Sequence, residues 1–481
     1  MLLSIIIVLS CFIGVILLII TNKLNRAISS LAGAIITFFV LIFFEGYNFS
    51  IIIDFMFGTE TDGFVNLHSL ILIIGMMIIV KIASDAGLFQ FIAIKLIQLS
   101  KGKPIRLMLI FSFLTILITS ILNNILAVII LIPLTITVSR ILNIDPTPYI
   151  LIEALLVNIG GSLFIISSIP NILIANYAKI TFIEFFQNVG VIASIIFGFT
   201  LLFFILLYKN SLVIPKEGLN VLQEFEVWNL VQNKRLFYEC IIALSSLMIC
   251  FVLIPTSVIT PDIIAISIAI ILIIISRLEP KEIINKIDYE LLFYLIGIFI
   301  ITGALESLGI LSLLGNFFSG IGGNIPFIQI IFILWFSAFL SSSIDNLPIT
   351  QVLIPVIDTM MEIYPVSIRN LSFYTLAIGA NWGDNLTPLG DNILVMNIAE
   401  QNKRPLSIKK FFKLGFLTTI YQLLIVTIIF TIIFYLIIGL LILGLLCFFI
   451  ILFFLLYKIG PKKFSVKIKL FFQNIINKII G

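Results

Sequence analysis

Long apolar runs, broken by short polar or charged stretches, dominate this chain from its first residues. Runs at 2–20, 27–44, 66–86, 187–208, 236–254, 260–276 and 288–307 each approach the ~20 residues an α-helix needs to cross a bilayer. A 47-residue run, 411–457, has room for two helices with a turn near Gly439. Four more stretches, 104–139, 148–178, 325–361 and 369–398, are apolar but carry Asn, Asp, Ser, Gly or Pro at their centres. Irregular backbone at membrane depth persists only where protein or a water-filled cavity covers it. Function is therefore expected in these four.

Reading 104–139 and 325–361 as re-entrant hairpins, and 148–178 and 369–398 as broken helices that cross once, gives five crossings in each half and eleven in all. This arrangement puts 25 of the 28 basic residues on one face, Lys179 and Arg369 on the other, and Lys81 inside a span. Acidic Glu45, Asp54, Glu60 and Asp62 fall on the basic-poor face. Lys and Arg collect on the cytoplasmic side, so the expected topology is a multi-pass plasma-membrane protein with its N-terminus outside and its C-terminus inside. The fold class expected is all-α. A first repeat spans 1–208, a cytoplasmic linker 209–235, a second repeat 236–435, an extra helix 436–457 and a basic amphipathic tail 458–481. The tail suits the anionic inner leaflet.

Composition agrees with this picture and narrows the function. The chain is 61% hydrophobic and 11% charged, where soluble domains are about 25% charged. Its start lacks the basic region of a cleaved leader and reads as a first transmembrane helix. The four cysteines lie in apolar runs without metal-ligand spacing, and the single His68 cannot build a zinc site. Lys81 is expected to reach the cytoplasmic surface rather than pair with Asp85. No His-Glu-x-x-His, Gly-x-Gly-Asp or Gly-x-x-x-x-Gly-Lys-Ser/Thr run occurs. These absences argue against an intramembrane enzyme and against ATP hydrolysis by this chain. A channel would lack a repeated filter motif. Neither a soluble cofactor nor nucleic-acid binding is indicated.

An internal repeat organises the broken segments. Gly75 and Gly297 stand 222 positions apart, as do Gly87 and Gly309, Asn124 and Asn346, and Pro133 and Pro355. Asn158-Ile-Gly-Gly-Ser pairs with Asn381-Trp-Gly-Asp-Asn, and Asn171-Ile-Leu-Ile with Asn392-Ile-Leu-Val, at nearly the same offset. An odd number of crossings per copy inverts the second relative to the first. Inverted repeats whose broken helices meet at the midplane are an architecture of secondary transporters.

Ser120-Ile-Leu-Asn-Asn-Ile with Pro133, Asn158-Ile-Gly-Gly-Ser through Pro170-Asn171-Ile-Leu-Ile, and Gly379-Ala-Asn-Trp-Gly-Asp-Asn-Leu-Thr-Pro resemble the ion transporter superfamily. The resemblance is to its arsenite-permease, melanosomal P-protein and sodium–proton antiporter branch, with divalent-anion/sodium symporters as more distant relatives. It runs from about residue 27 to 435. It implies a scaffold and a mobile transport part that carries both hairpins and works by an elevator-like movement. It also implies a homodimer joined through scaffold helices.

At each hairpin tip a polar turn separates two half-helices, whose N-termini favour anions and whose C-terminal carbonyls favour cations. The first half would supply Asn123, Asn124, Ser167, Ser168 and Asn171; the second, Asp345, Asn346, Asn381, Asp384, Asn385, Thr387, Asp391 and Asn392. Asn123, Asn124, Asp345 and Asn346 form a candidate Na⁺ site. The first half contributes no carboxylate to this set and the second contributes three, while no Arg lies in the four interrupted cores. A carboxylate at membrane depth needs a cation, a base or a proton. The reading is therefore a Na⁺- or H⁺-coupled secondary transporter with a preference for Na⁺/H⁺ exchange. An anion permease for arsenite, citrate or a dicarboxylate is the alternative. Capping of free helix ends is the plain structural role open to the same Asn and Asp residues.

Overall fold

A computed structural model describes residues 1–21, 23–61, 63–100, 103–208, 226–231, 233–285, 287–323, 325–388 and 391–459. Most of the 209–235 linker and the basic tail beyond 459 lie outside these. Among the described residues every regular element is helical. Among the described residues, eight helices are long and apolar enough to cross a membrane: Leu2–Ile20, Arg26–Glu45, Val65–Asp85, Asn124–Ile141, Phe182–Tyr208, Lys234–Leu253, Tyr289–Ser307 and Ile408–Phe434. Shorter apolar helices, Pro104–Thr119, Thr147–Gly160, Pro261–Ser276 and Pro326–Ser341 among them, pack between these. The chain is a multi-pass, all-α membrane protein.

Local chemistry sets the helix ends. The Asn25 side chain accepts from Ala27 N and Ile28 N and so caps Arg26–Glu45, which stops at Gly46 in a left-handed turn. Proline opens Pro104–Thr119, Pro261–Ser276 and Pro326–Ser341, where its missing N–H would be unpaired anyway. Gly87 (φ +79°) and Gly309 (φ +74°) turn the chain after Val65–Asp85 and Tyr289–Ser307. Each is followed by a short helix, Leu88–Gln98 and Ile310–Ser319, which the apolar pattern does not predict, nor does it predict Ser50–Phe57. At 8–11 residues such helices leave no distinct mark in an apolar sequence.

Both hairpins and both broken helices form where the polar interruptions fall. The first hairpin pairs Pro104–Thr119 with Asn124–Ile141, and the second pairs Pro326–Ser341 with Asn346–Met360. Thr147–Gly160 and Ile169–Tyr177 make one broken helix, joined through a 3₁₀ turn at Ile165–Ser167. Val366–Gly383 and Asp391–Gln401 make the other, with a 3₁₀ turn at Asp384–Leu386. The 411–457 run does divide, but at Tyr435, whose backbone leaves the helical region (φ −136°, ψ 72°). Gly439 lies inside the next helix, where a Cβ would stand 2.5 Å from Ile432 Cγ1. It serves close packing and does not turn the chain.

Packing exchanges partners between the halves. Arg26–Glu45 lies along Tyr289–Ser307, and Pro261–Ser276 lies along Val65–Asp85. The matched glycines are at these contacts: a Cβ on Gly75 would come 2.8 Å from Ile266 N, and one on Gly297 2.5 Å from Ser30 Oγ. Each hairpin likewise packs on its own broken helix, Pro104–Thr119 on Thr147–Gly160 and Pro326–Ser341 on Val366–Gly383. A Cβ on Gly160 would overlap Thr119 Oγ1, and one on Gly383 would overlap Ala338 O.

Candidate functional site

Asn123, Asn124, Ser168, Asp345 and Asn346 border one small cavity of about 30 Å³. The return helices of both hairpins and the second segment of the first broken helix bring them there, and the N-terminal ends of the helix pair Arg26–Glu45 and Tyr289–Ser307 close the wall with Arg26 and Leu291. Three helix N-termini meet at this point, beginning at Asn124, Ile169 and Asn346. Asn123 caps the first through Oδ1, which accepts from Leu126 N at 2.9 Å. Asp345 caps the third by accepting from Leu347 N at 3.2 Å. The Ile169–Tyr177 end has no side-chain cap. Capping therefore occupies one oxygen of each tip residue; the second Asp345 oxygen takes a long 3.4 Å contact from Tyr294 OH.

Behind the cavity the remaining described candidates form several hydrogen-bonded sets, two of which cross between the halves. Asn124 Nδ2 donates to Asn158 Oδ1 at 2.7 Å, Asn158 Nδ2 to Asn385 Oδ1 at 2.8 Å, and Asn385 Nδ2 to Leu155 O at 2.9 Å. Ser168 Oγ donates to Asn381 Oδ1 at 2.7 Å, and Asn381 Nδ2 donates to Asn171 Oδ1 at 2.8 Å. Asn171 Nδ2 and Ser167 Oγ both reach Gly161 O, at 2.8 Å each, and hold the 3₁₀ turn closed. In the second half Asp384 accepts from Ser341 Oγ at 2.6 Å and from Asn346 Nδ2 at 2.9 Å, tying the hairpin tip to its broken helix. Asn392 Nδ2 donates to Asp384 O at 2.8 Å, and Thr387 Oγ1 donates to Ser342 O. Asp391 begins its helix; its side chain lies outside the described residues. Thus the cavity has five of the predicted residues on its wall and the others, where described, bonded behind it.

Several expectations change. Arg26 lines the cavity although the sequence points to a site without a base. The apolar pattern leaves it just outside a span, yet it starts a helix that the fold carries to the hairpin tips. Its guanidinium lies 3.2 Å from Glu290, 3.9 Å from Asp288 and 5.7 Å from the Tyr294 ring centre. Glu153, a first-half carboxylate outside the predicted set, is fully buried in the first broken helix. An acid in a run of aliphatics is the sequence signal that marks it. Asn158, in sequence only a repeat marker, is one of the bridges between the halves, beside Asn381. His68 is not idle but hydrogen-bonds Asp262 at 2.9 Å. Lys81 does pair with Asp85, at 3.5 Å, with both side chains partly exposed. Among the described residues no cluster of three His, Cys, Asp or Glu side chains has metal-site geometry.

A larger cavity of about 400 Å³ lies between Tyr289–Ser307, Ser50–Phe57 and the outer parts of the broken helix and second hairpin. Asp54 and Glu306 give it an acidic wall, and none of the predicted site residues reaches it.

Comparison with known proteins agrees with the fold. The chain is 26% identical over 421 residues to the 46 kDa membrane protein of Mycobacterium leprae, covering 87% of this chain and 96% of that one. It is 26% identical to the P protein of Sus scrofa across 84% of this chain and 56% of that protein. The crystal structure of the Alcanivorax borkumensis YdaH transporter superposes with a TM-score of 0.56 at 14% identity, covering 80% of this chain and 87% of that one; this likeness concerns the fold. The citrate transporter family model matches residues 16–373, which include the first hairpin, the first broken helix, the second hairpin and Arg26. The chain is a membrane transporter of the citrate transporter (CitMHS) family.

Proposed function

We propose that this protein is a cation-coupled permease for a small carboxylate anion such as citrate, working as an elevator. One observation carries the reading: three helix N-termini and Arg26 converge on a single cavity. Helix N-termini present partial positive charge and unpaired N–H groups to a ligand, and guanidinium matches a carboxylate with paired donors. The family model, a citrate transporter, supports the same substrate class. Asp345 supplies the negative group on which Na⁺ or H⁺ would ride with the anion. This weighting replaces the preference for Na⁺/H⁺ exchange, which rested on a site without a base. At about 30 Å³ the cavity is too small for citrate, so the hairpin tips must part to admit it. The scaffold of the mechanism is the paired long helices, and the hairpins with their broken helices form the moving body. The matched helix breaks and the exchange of partners at Gly75 and Gly297 support the inverted-repeat reading. The charge distribution along the sequence supports an outside N-terminus in the plasma membrane. Assembly as a homodimer through the scaffold belongs to the same proposal.

The test is uptake of radiolabelled citrate into proteoliposomes under a Na⁺ or a pH gradient, for the wild type and for Arg26→Gln. Gradient-driven uptake that weakens in the variant is the expected result. A Na⁺-dependent pH change without citrate movement would return the assignment to Na⁺/H⁺ exchange.

A further inference from the structure

Glu153 belongs to neither the cavity nor the asparagine network, and its surroundings call for a separate account. It sits in Thr147–Gly160 with no solvent exposure. One carboxyl oxygen accepts from Thr135 Oγ1 at 2.7 Å; the other has no hydrogen-bond partner among the described residues. The helices packed around it carry Arg106, Arg140, Glu184, Arg369, Asp384, Asp391 and Glu400, besides Tyr149, Tyr208 and Tyr374. No described side chain among these forms an ion pair or a hydrogen bond with it. An anion in such a place lacks the compensation that buried charge requires, so a cation must accompany it. A metal ion does not fit: Na⁺ or a divalent ion needs several oxygen ligands, and Thr135 is the single hydroxyl bonded here. A proton needs one oxygen, and one is open.

The position also reaches the substrate cavity. Thr147–Gly160 and Asn124–Ile141 are joined at two points, Asn124–Asn158 beside the cavity and Thr135–Glu153 deeper in the same helix pair. Glu153 and Asn158 are five positions apart on the helix, about 7.5 Å along the axis. Pro133 lies inside the hairpin helix just before Thr135 and withholds one backbone N–H there, so the segment bearing Thr135 is freer to shift than an unbroken ladder would allow. At the offset of 223 that pairs Asn158 with Asn381, Glu153 aligns with Leu376, so this carboxyl has no counterpart there.

We propose that Glu153 is the proton-binding site that couples transport to a pH gradient. It takes a proton on its unpartnered oxygen and releases it when the helix pair rearranges; no other bond is made or broken. Loss of that proton leaves a buried charge between the first hairpin and its broken helix and disfavours the Asn124–Asn158 arrangement that shapes the cavity. By linkage, substrate binding and proton binding at Glu153 favour each other. The coupling half of this inference rests on the anion-permease reading; the proton site itself does not.

Two measurements on the purified full-length protein test it. Infrared difference spectra recorded across pH should show a carboxylic-acid band in the wild type that titrates away with rising pH and is missing from Glu153→Gln. Thr135→Val, which removes only the hydroxyl donor, should keep the band and displace its titration. In proteoliposomes with radiolabelled citrate, Glu153→Gln should lose pH-driven accumulation by at least about five-fold and keep citrate exchange that no longer depends on pH. Identical infrared titrations in wild type and Glu153→Gln would overturn the proton site. Undiminished pH-driven accumulation in Glu153→Gln would overturn its coupling role. If the wild type exchanges no citrate, the anion reading falls, and the infrared titration decides the proton site alone.

Discussion

His68 and Asp262 are hydrogen-bonded at 2.9 Å in the place that mirrors Arg26 and Glu290, with the acidic and basic side chains exchanged between the two helices. Glu290 stands 222 positions after His68, and Asp262 is near the start of its helix as Arg26 is of its own. Arg26–Glu45 runs away from Arg26 and the chain re-enters at Val65, so the two pairs tie opposite ends of the long-helix bundle. They differ in burial: Asp262 is 2% exposed, whereas the Glu290 side chain is 45% exposed. Asp262 Oδ1 has no partner among the described residues, so His68 is what its carboxyl leans on. His68→Ala should lower unfolding stability by roughly 1–3 kcal/mol, because it strands a buried acceptor. Glu290→Ala should cost only about 0–1 kcal/mol, as exposed pairs do. Thermal unfolding of the detergent-purified variants gives the order.

Among the described residues, Asn158 is the one side chain bonded to both the first hairpin tip and the second broken helix, through Asn124 and Asn385. Asn158→Leu keeps similar bulk and removes both bonds, leaving two buried amides short of a partner. A destabilisation of about 2–4 kcal/mol is expected from two stranded groups, together with loss of citrate uptake. Asn158→Asp keeps an acceptor for Asn124 and, as the neutral acid that burial favours, can donate its O–H to Asn385 Oδ1, and should be the milder lesion in unfolding. Unfolding midpoints and proteoliposome uptake, measured together, check both statements.

Asp345 and Asp384 should separate cleanly although both stand at breaks of the same kind. Asp384 is buried, with Ser341 and Asn346 donating to its two oxygens. Asp384→Ala should therefore destabilise by about 2–4 kcal/mol and act mainly on the amount of folded protein. Asp345 is half-buried, faces the cavity and spends one oxygen on a cap. Asp345→Asn keeps an acceptor for Leu347 N, so stability should move by under about 1 kcal/mol. Its effect should fall on the cation dependence of uptake. Expression, unfolding and uptake at graded Na⁺ and pH distinguish the two outcomes.

The large features are legible in the sequence because lipid imposes a strong rule: backbone can break at depth only under cover. Hence both hairpins, both broken helices and the tips at Asn124 and Asn346 show as breaks in apolar runs. The short helices after Gly87 and Gly309 do not, since an apolar decapeptide lying across the bundle looks like a stretch of any span. Asn123 and Asp345 can be placed at tips by local pattern, whereas the Asn158–Asn385 bridge depends on how two halves meet, which no local pattern encodes. Arg26 is hidden for the same reason. It lies far in sequence from the tips, and pairing of Arg26–Glu45 with Tyr289–Ser307 is what brings it to them. Glu153 differs: as a single acid among aliphatics it is marked in the sequence, but it stands apart from the polar breaks that point to the site.

The matched glycines offer a test of how the halves are joined. A Cβ on Gly297 would stand 2.5 Å from Ser30 Oγ and 2.6 Å from the Ser30 carbonyl carbon, while on Gly75 it would stand 2.8 Å from Ile266 N and 2.9 Å from the Ala265 carbonyl carbon. Backbone cannot yield as a flexible side-chain end can, so each alanine must push two long helices apart. A methyl added at Gly198, on the apolar helix Phe182–Tyr208, would meet nothing within 4 Å, and alanine there should be neutral or stabilising by up to about 1 kcal/mol. Gly75→Ala and Gly297→Ala should each cost about 1–3 kcal/mol, the range for overpacking. If the contact is the same joint used twice, their costs should be similar to one another and far from that of Gly198→Ala. Ser30→Gly removes the side-chain half of the clash at Gly297 and should recover part of the Gly297→Ala loss while doing nothing for Gly75→Ala. Unfolding midpoints of the four single variants and the Ser30→Gly/Gly297→Ala double variant measure this coupling directly.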